Sequence, residues 1–135
     1  MTTWWLSLVT AAATANFGGT WAPVEGVNPP VNLVVTQTAD RLTAGAGDDA
    51  LECRLDGQPT KQKVDTVELR CAWTGDVLGI DITITTDFGD TSTQKQTWAI
   101  DAQGRLVIET TRTRQGQPVT RKSVYRRVVT VTSAR

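Results

Sequence analysis

The feature that most constrains this chain runs from Val67 to Thr113, where apolar residues alternate along the sequence and turns interrupt them at regular intervals. Val67, Leu69, Cys71 and Trp73 alternate before Thr74-Gly75-Asp76, and Leu78, Ile80, Ile82 and Ile84 alternate before Asp87-Phe88-Gly89-Asp90. Trp98 and Ile100 precede Asp101-Ala102-Gln103-Gly104, and Leu106 and Ile108 precede Arg114-Gln115-Gly116-Gln117. A period of two puts one set of side chains on the buried face of a strand and the other in water. Turns this short leave successive strands as antiparallel neighbours. No helical periodicity is present after Asn16, so the expected class is all-β.

The flanking sequence fits the same scheme. Ala22 to Pro30 contains Pro23, Pro29 and Pro30 and reads as a loop, because proline cannot donate into a ladder. Val31 to Thr38 reads as a strand, Arg41 to Thr43 as a short one, and Gly45 to Asp49 as a turn. Leu51 to Leu55 is a strand followed by Asp56-Gly57, a strong hairpin signal. Lys61 to Val64 is a short edge strand or a loop, and Val119 to Val131 is the last and longest strand. That gives about eight to ten strands at roughly ten-residue spacing. Short connections favour an antiparallel up-and-down meander closing into a small barrel, since a Greek-key sandwich needs longer crossing connections. The chain of 135 residues suits one domain, expected over 16–131, with a tail at 132–135.

Charge and composition exclude several functions. Lys+Arg is 14 and Asp+Glu is 14, scattered without blocks, so no basic footprint for nucleic acid is present. Histidine is absent, which removes the commonest general base and the commonest transition-metal ligand. No Ser-His-Asp or Cys-His system can be built from this sequence. The pairs Asp48-Asp49 and Asp87-Asp90 read as turn residues rather than as a hydrolase pair or a Ca²⁺ loop, and Asp81 lies on the wet phase of its strand. Neither a catalytic residue nor a metal site nor a cofactor is expected.

Residues 1–15 read as an export signal. Trp4 to Ala13 is apolar and uncharged, and Ala13-Thr14-Ala15 has the small-x-small form of a signal-peptidase site, although Met1-Thr2-Thr3 lacks the usual Lys or Arg. An N-terminal helix packed on the domain is the alternative. The run is short for a membrane span, and none is expected. A periplasmic or secreted location follows from the export reading. Cys53 and Cys71 share the inward phase of their strands. In an oxidising compartment they would pair, with a chain-entropy contribution of about 3 kcal/mol; two buried free thiols are the other reading.

Trp21, Trp73 and Trp98 lie late in strands or beside turns. They form either the wall of a cavity for an apolar ligand or a plug that fills a narrow barrel. The candidate wall is Leu69, Trp73, Ile82, Trp98 and Ile108, with Trp21 sealing one end. Tyr125, the sole tyrosine, shares phase with Ser123 and Arg127, so an inward Tyr–Arg pair is a candidate grip for a ligand carboxylate.

Several segments in order carry a resemblance: Phe17-Gly18-Gly19-Thr20-Trp21, then Leu55-Asp56-Gly57, then Cys71 to Leu78, then Gln96 to Ile108, and a closing Val124-Tyr125-Arg126-Arg127. Together they resemble the exported lipocalin-like (calycin-type) barrels of bacteria, over most of residues 16–128. The Gly-x-Trp opening is similar to that of lipocalins, which implies that Trp21 closes one barrel end. The last strand faintly resembles that of fatty-acid-binding proteins, but Ser123 stands where their carboxylate-binding Arg would be. The resemblance implies a fold and an exported location, with no defined ligand. The expected function is non-enzymatic binding of a small hydrophobic or amphipathic molecule by a monomer. The alternative is a protein-interaction module, such as an inhibitor of an exported protease, with a filled barrel and a contact segment at Ala22 to Pro30.

Overall fold

A computed structural model describes residues 15–46, 49–61, 67–86, 88–114 and 116–129. Its strands are β1 (Gly19–Glu25), β2 (Leu33–Gln37), β3 (Arg41–Ala46), β4 (Asp49–Arg54), β5 (Thr60–Lys61), β6 (Val67–Thr74), β7 (Val77–Thr85), β8 (Thr91–Ile100), β9 (Leu106–Arg114) and β10 (Gln117–Arg127). They make one 10-stranded sheet in the order β4-β3-β2-β1-β10-β9-β8-β7-β6-β5, with every pairing antiparallel. The fold is therefore the expected all-β meander. Its first and last strands pair, and it curls into a nearly closed barrel.

The seam lies where hairpin chemistry is strongest in the sequence. β4 and β5 are consecutive, yet they form the two ends of the sheet. Asp56 accepts from the Gln58 N–H at 3.0 Å, an Asx-type turn, and the Arg54 N–H donates to Thr60 Oγ at 3.0 Å instead of to a backbone carbonyl. The Leu55 N–H is taken by the Asp40 carbonyl at 2.9 Å. With these donors used elsewhere no β4–β5 ladder forms, and β5 pairs with β6 instead. The expected hairpin at Asp56-Gly57 is thus a turn without a ladder. Cys53 of β4 and Cys71 of β6 close the gap covalently, as a buried disulfide with a Cα–Cα distance of 6.2 Å.

Three other expectations need correction. Ala22 to Glu25 belongs to β1, and Pro23 pairs with Tyr125 beside a register shift between Pro23 and Glu25. A bulge is the place where an extended strand tolerates a residue without an N–H. The loop begins only at Gly26, which has φ +75°; a Cβ there would stand 2.0 Å from the Lys122 carbonyl oxygen, so the chain crosses directly over β10. Gly45, Ala46 and Asp49 continue β3 and β4 rather than forming a turn, because the ladder runs on through Gly45↔Ala50 and Ala46↔Asp49. Finally, β10 stops at Arg127, short of Val131. Residues 1–14 of the export-signal reading over 1–15, the Asp48 and Asp87 positions and the tail at 132–135 lie outside the described residues.

The ladders set the interior in rows. One row is Trp73–Leu78–Trp98–Ile108–Ser123, the next Cys71–Ile80–Gln96–Thr110–Arg121, and the next Leu69–Ile82–Gln94–Arg112–Val119. On β6 and β7 this face is apolar from end to end. On β8, β9 and β10 it turns polar beyond Trp98, Ile108 and Tyr125. The interior is thus asymmetric along its axis. It is apolar near the β6–β7 and β8–β9 turns, and toward the other end it is polar on β8, β9 and β10 alone.

Candidate functional site

The apolar end of the barrel is packed solid. Phe17, at the chain's entry into the domain, stacks on Trp73 with centroids 5.7 Å apart and meets Trp98 edge-on at 5.6 Å. Trp21 is fully buried, and its indole N–H donates to the Phe17 carbonyl at 2.8 Å, which satisfies its one polar atom. The side chain of Gln37 holds the entering chain from the other side. Its Oε1 accepts from the Phe17 N–H at 2.8 Å, and its amide donates to the Ala15 carbonyl at 3.0 Å. Arg127 then lies over the end, its guanidinium carbon 4.2 Å from the Trp21 ring centroid.

The opposite half holds a cleft of about 320 Å³. Leu33 of β2, Ala44 and Gly45 of β3 and Leu51 of β4 form one wall, and Trp98 and Ile108 form the floor. Facing the wall is an arc of neutral polar side chains: Gln96, Thr110, Ser123 and Tyr125. Alternation explains the arrangement. Gln96 and Thr110 share phase with Trp98 and Ile108, one step nearer the mouth, and stand opposite each other across the β8–β9 ladder. Trp98 donates its indole N–H to Gln96 Oε1 at 3.0 Å, which orients the Gln96 amide and leaves its N–H groups without an acceptor among the described residues. The Ser123 hydroxyl donates to the Gly26 carbonyl at 3.0 Å. Tyr125 is half-buried, and burial pushes its phenol above the ordinary tyrosine range, so the ring carries a neutral O–H donor.

Of the residues singled out in the sequence, Trp98, Ile108 and Tyr125 line this cleft. Leu69 and Ile82 lie in the close-packed core on β6 and β7. Trp21 and Trp73 belong to the packed end, and Trp73 also borders a separate hollow of about 270 Å³ with Asn16, Gln37 and Leu55. The Tyr125–Arg127 grip is not formed. Arg127 donates to the Gly18 carbonyl at 2.6 Å and to the Asn16 carbonyl at 3.1 Å, and so is committed to the packed end. Leu33, Ala44, Leu51, Gln96 and Thr110 were not singled out, and Ser123 entered only as the in-phase neighbour of Tyr125 standing in place of a carboxylate-binding Arg. The phase of each strand marks their face, but which strands confront one another across a barrel depends on closure, which no local pattern carries.

Among the described residues no group of three or more His, Cys, Asp or Glu side chains is placed to hold a metal ion, and no helix is long and apolar enough to cross a membrane. No protein-family model matches the chain, and no curated protein matches it.

Proposed function

We propose that this chain is a non-enzymatic, lipocalin-like binding barrel that works outside the cytoplasm and takes a small apolar or amphipathic molecule into its open half. The observation that carries this reading is the cleft itself, an open concavity of about 320 Å³ with an indole floor above a packed barrel end. Ligand sites are concave and mostly apolar, with a few convergent polar groups, and this volume lies at the lower end of the range of about 300–1,000 Å³. The Cys53–Cys71 disulfide suits an oxidising compartment. The described lining holds no acid–base pair, and the sequence holds no histidine to supply one, which favours binding over catalysis.

The test is titration with N-phenyl-1-naphthylamine, a neutral fluorophore that brightens in apolar surroundings. The expected result is saturable uptake at one site with quenching of tryptophan emission, reduced at least tenfold in Thr110→Trp, whose indole fills the cleft. Circular dichroism of the variant checks that it folds. Absence of uptake by the unaltered protein would overturn the proposal and favour a barrel that acts through its outer surface on another protein.

A further inference from the structure

Resting on that reading, we infer that the cleft is built for an electrically neutral amphiphile, with a carbonyl, amide or hydroxyl end, and discriminates against carboxylates of the same length. Every described side chain lining the cleft is uncharged. The polar arc offers donors with no protein acceptor among the described residues: the Gln96 amide N–H groups, oriented by Trp98, and the hydroxyls of Thr110 and Tyr125. These satisfy a carbonyl or hydroxyl oxygen and so offset the moderate hydration that a neutral polar group gives up on entry. A carboxylate loses far more hydration, and neutral donors alone return only part of it.

The cations on neighbouring strands do not alter this balance. Arg127, two residues beyond Tyr125, is occupied by the Asn16 and Gly18 carbonyls and the Trp21 ring. Arg121 stands directly across the β9–β10 ladder from Thr110, and Arg112 lies one row nearer the mouth, but both are exposed and lie outside the cleft lining. Exposed guanidiniums act through solvent and salt, and ion pairs made by fully hydrated side chains of this kind contribute little even at short range. Glu25, at the end of β1, is likewise exposed and pairs with Val124, on the phase of β10 that faces away from the cleft. Lys95, Glu109 and Lys122 stand on the outward phase of β8, β9 and β10 and face away from the cleft.

The experiment is displacement of N-phenyl-1-naphthylamine by decanamide, decan-1-ol and decanoate at neutral pH in moderate salt. The expected order has the amide and the alcohol at least tenfold ahead of the carboxylate. The variant Thr110→Val with Tyr125→Phe, which removes two donors at nearly constant shape, is expected to lower the ratio of decanamide affinity to fluorophore affinity at least tenfold. Decanoate binding as tightly as the amide would overturn the inference, and loss of that binding in Arg112→Gln or Arg121→Gln would assign the mouth arginines as its anchor. Uptake of the fluorophore with displacement by none of the three would also overturn it, while leaving an apolar-ligand barrel standing. Failure of the fluorophore itself to bind is the separate failure of the binding reading.

Discussion

Arg127 ties together parts of the chain that lie far apart in sequence. Its guanidinium donates to the carbonyls of Gly18 and Asn16, which lie 109 and 111 positions away, and it covers the fully buried Trp21 ring. A planar fork can bridge two carbonyls and stack at once, whereas a lysine ammonium is a point charge that cannot do both. Two charge-assisted hydrogen bonds and a cation–π contact at a partly exposed site suggest a loss of about 1–2 kcal/mol for Arg127→Lys. A urea midpoint lowered at unchanged slope would confirm it, and an unchanged midpoint would refute it. The exposed ion pairs Arg41–Glu52 and Arg54–Asp56 provide the contrast. Pairs of this kind contribute about 0–1 kcal/mol, so charge alone does not make Arg127 important. The sequence places Arg127 on the inward phase beside Tyr125, and that much was legible. Its true partners are backbone oxygens at the other end of the chain, and no spacing rule points to them.

The β8–β9 turn shows how much one residue can organise within an element. The Asp101 carboxylate accepts the Arg105 backbone N–H at 2.8 Å, the Arg105 guanidinium at 2.8 Å and the Gln103 N–H at 2.9 Å. The Arg105 backbone N–H is the chief reason the Asp101 carboxyl lies below its usual range, with the guanidinium and the Gln103 N–H acting in the same direction. A carboxyl whose folded pKa is depressed adds stability that is present above its unfolded pKa and is lost as pH falls through the folded value. Asp101→Asn is therefore expected to melt below the unaltered protein at neutral pH, with the gap closing once pH falls below about 4. A gap constant with pH would mean that the charge contributes nothing. This turn was legible because an Asp at its start and a Gly at its end are local signals, and alternation likewise exposed β6 to β9. The same logic failed at Asp56-Gly57, where Thr60 and Asp40 capture the backbone donors a hairpin ladder would use. It also failed at Pro23, where a bulge on β1 lets a proline stay in the sheet.

As a whole, the molecule is a ribbon joined to itself twice, by different means. β1 and β10 close it with a backbone ladder from Trp21↔Arg127 to Glu25↔Val124. β4 and β6 share no ladder and are joined by Cys53–Cys71. The second joint matters for the cleft, because Leu33, Ala44 and Leu51 come from the β2–β3–β4 arm while Trp98, Ile108 and Tyr125 come from the strands beyond β1. If the arm swings, the wall leaves the floor. The linked cysteines are 18 positions apart, and closing a loop of that size accounts for about 3 kcal/mol. Replacing both by alanine keeps the buried site apolar, so the expected loss is about 3 kcal/mol plus a small packing term. Hydrogen exchange separates this from uniform weakening. In Cys53→Ala with Cys71→Ala, amides of β4 and of the β6 edge should lose protection first, while those of β8, β9 and β10, flanked by ladders on both sides, should change only with global stability. The same variant should bind an apolar fluorophore more weakly than its residual folded fraction accounts for. Equal loss of protection on every strand would show that the disulfide limits only the unfolded chain and that the β4–β6 joint holds by packing alone.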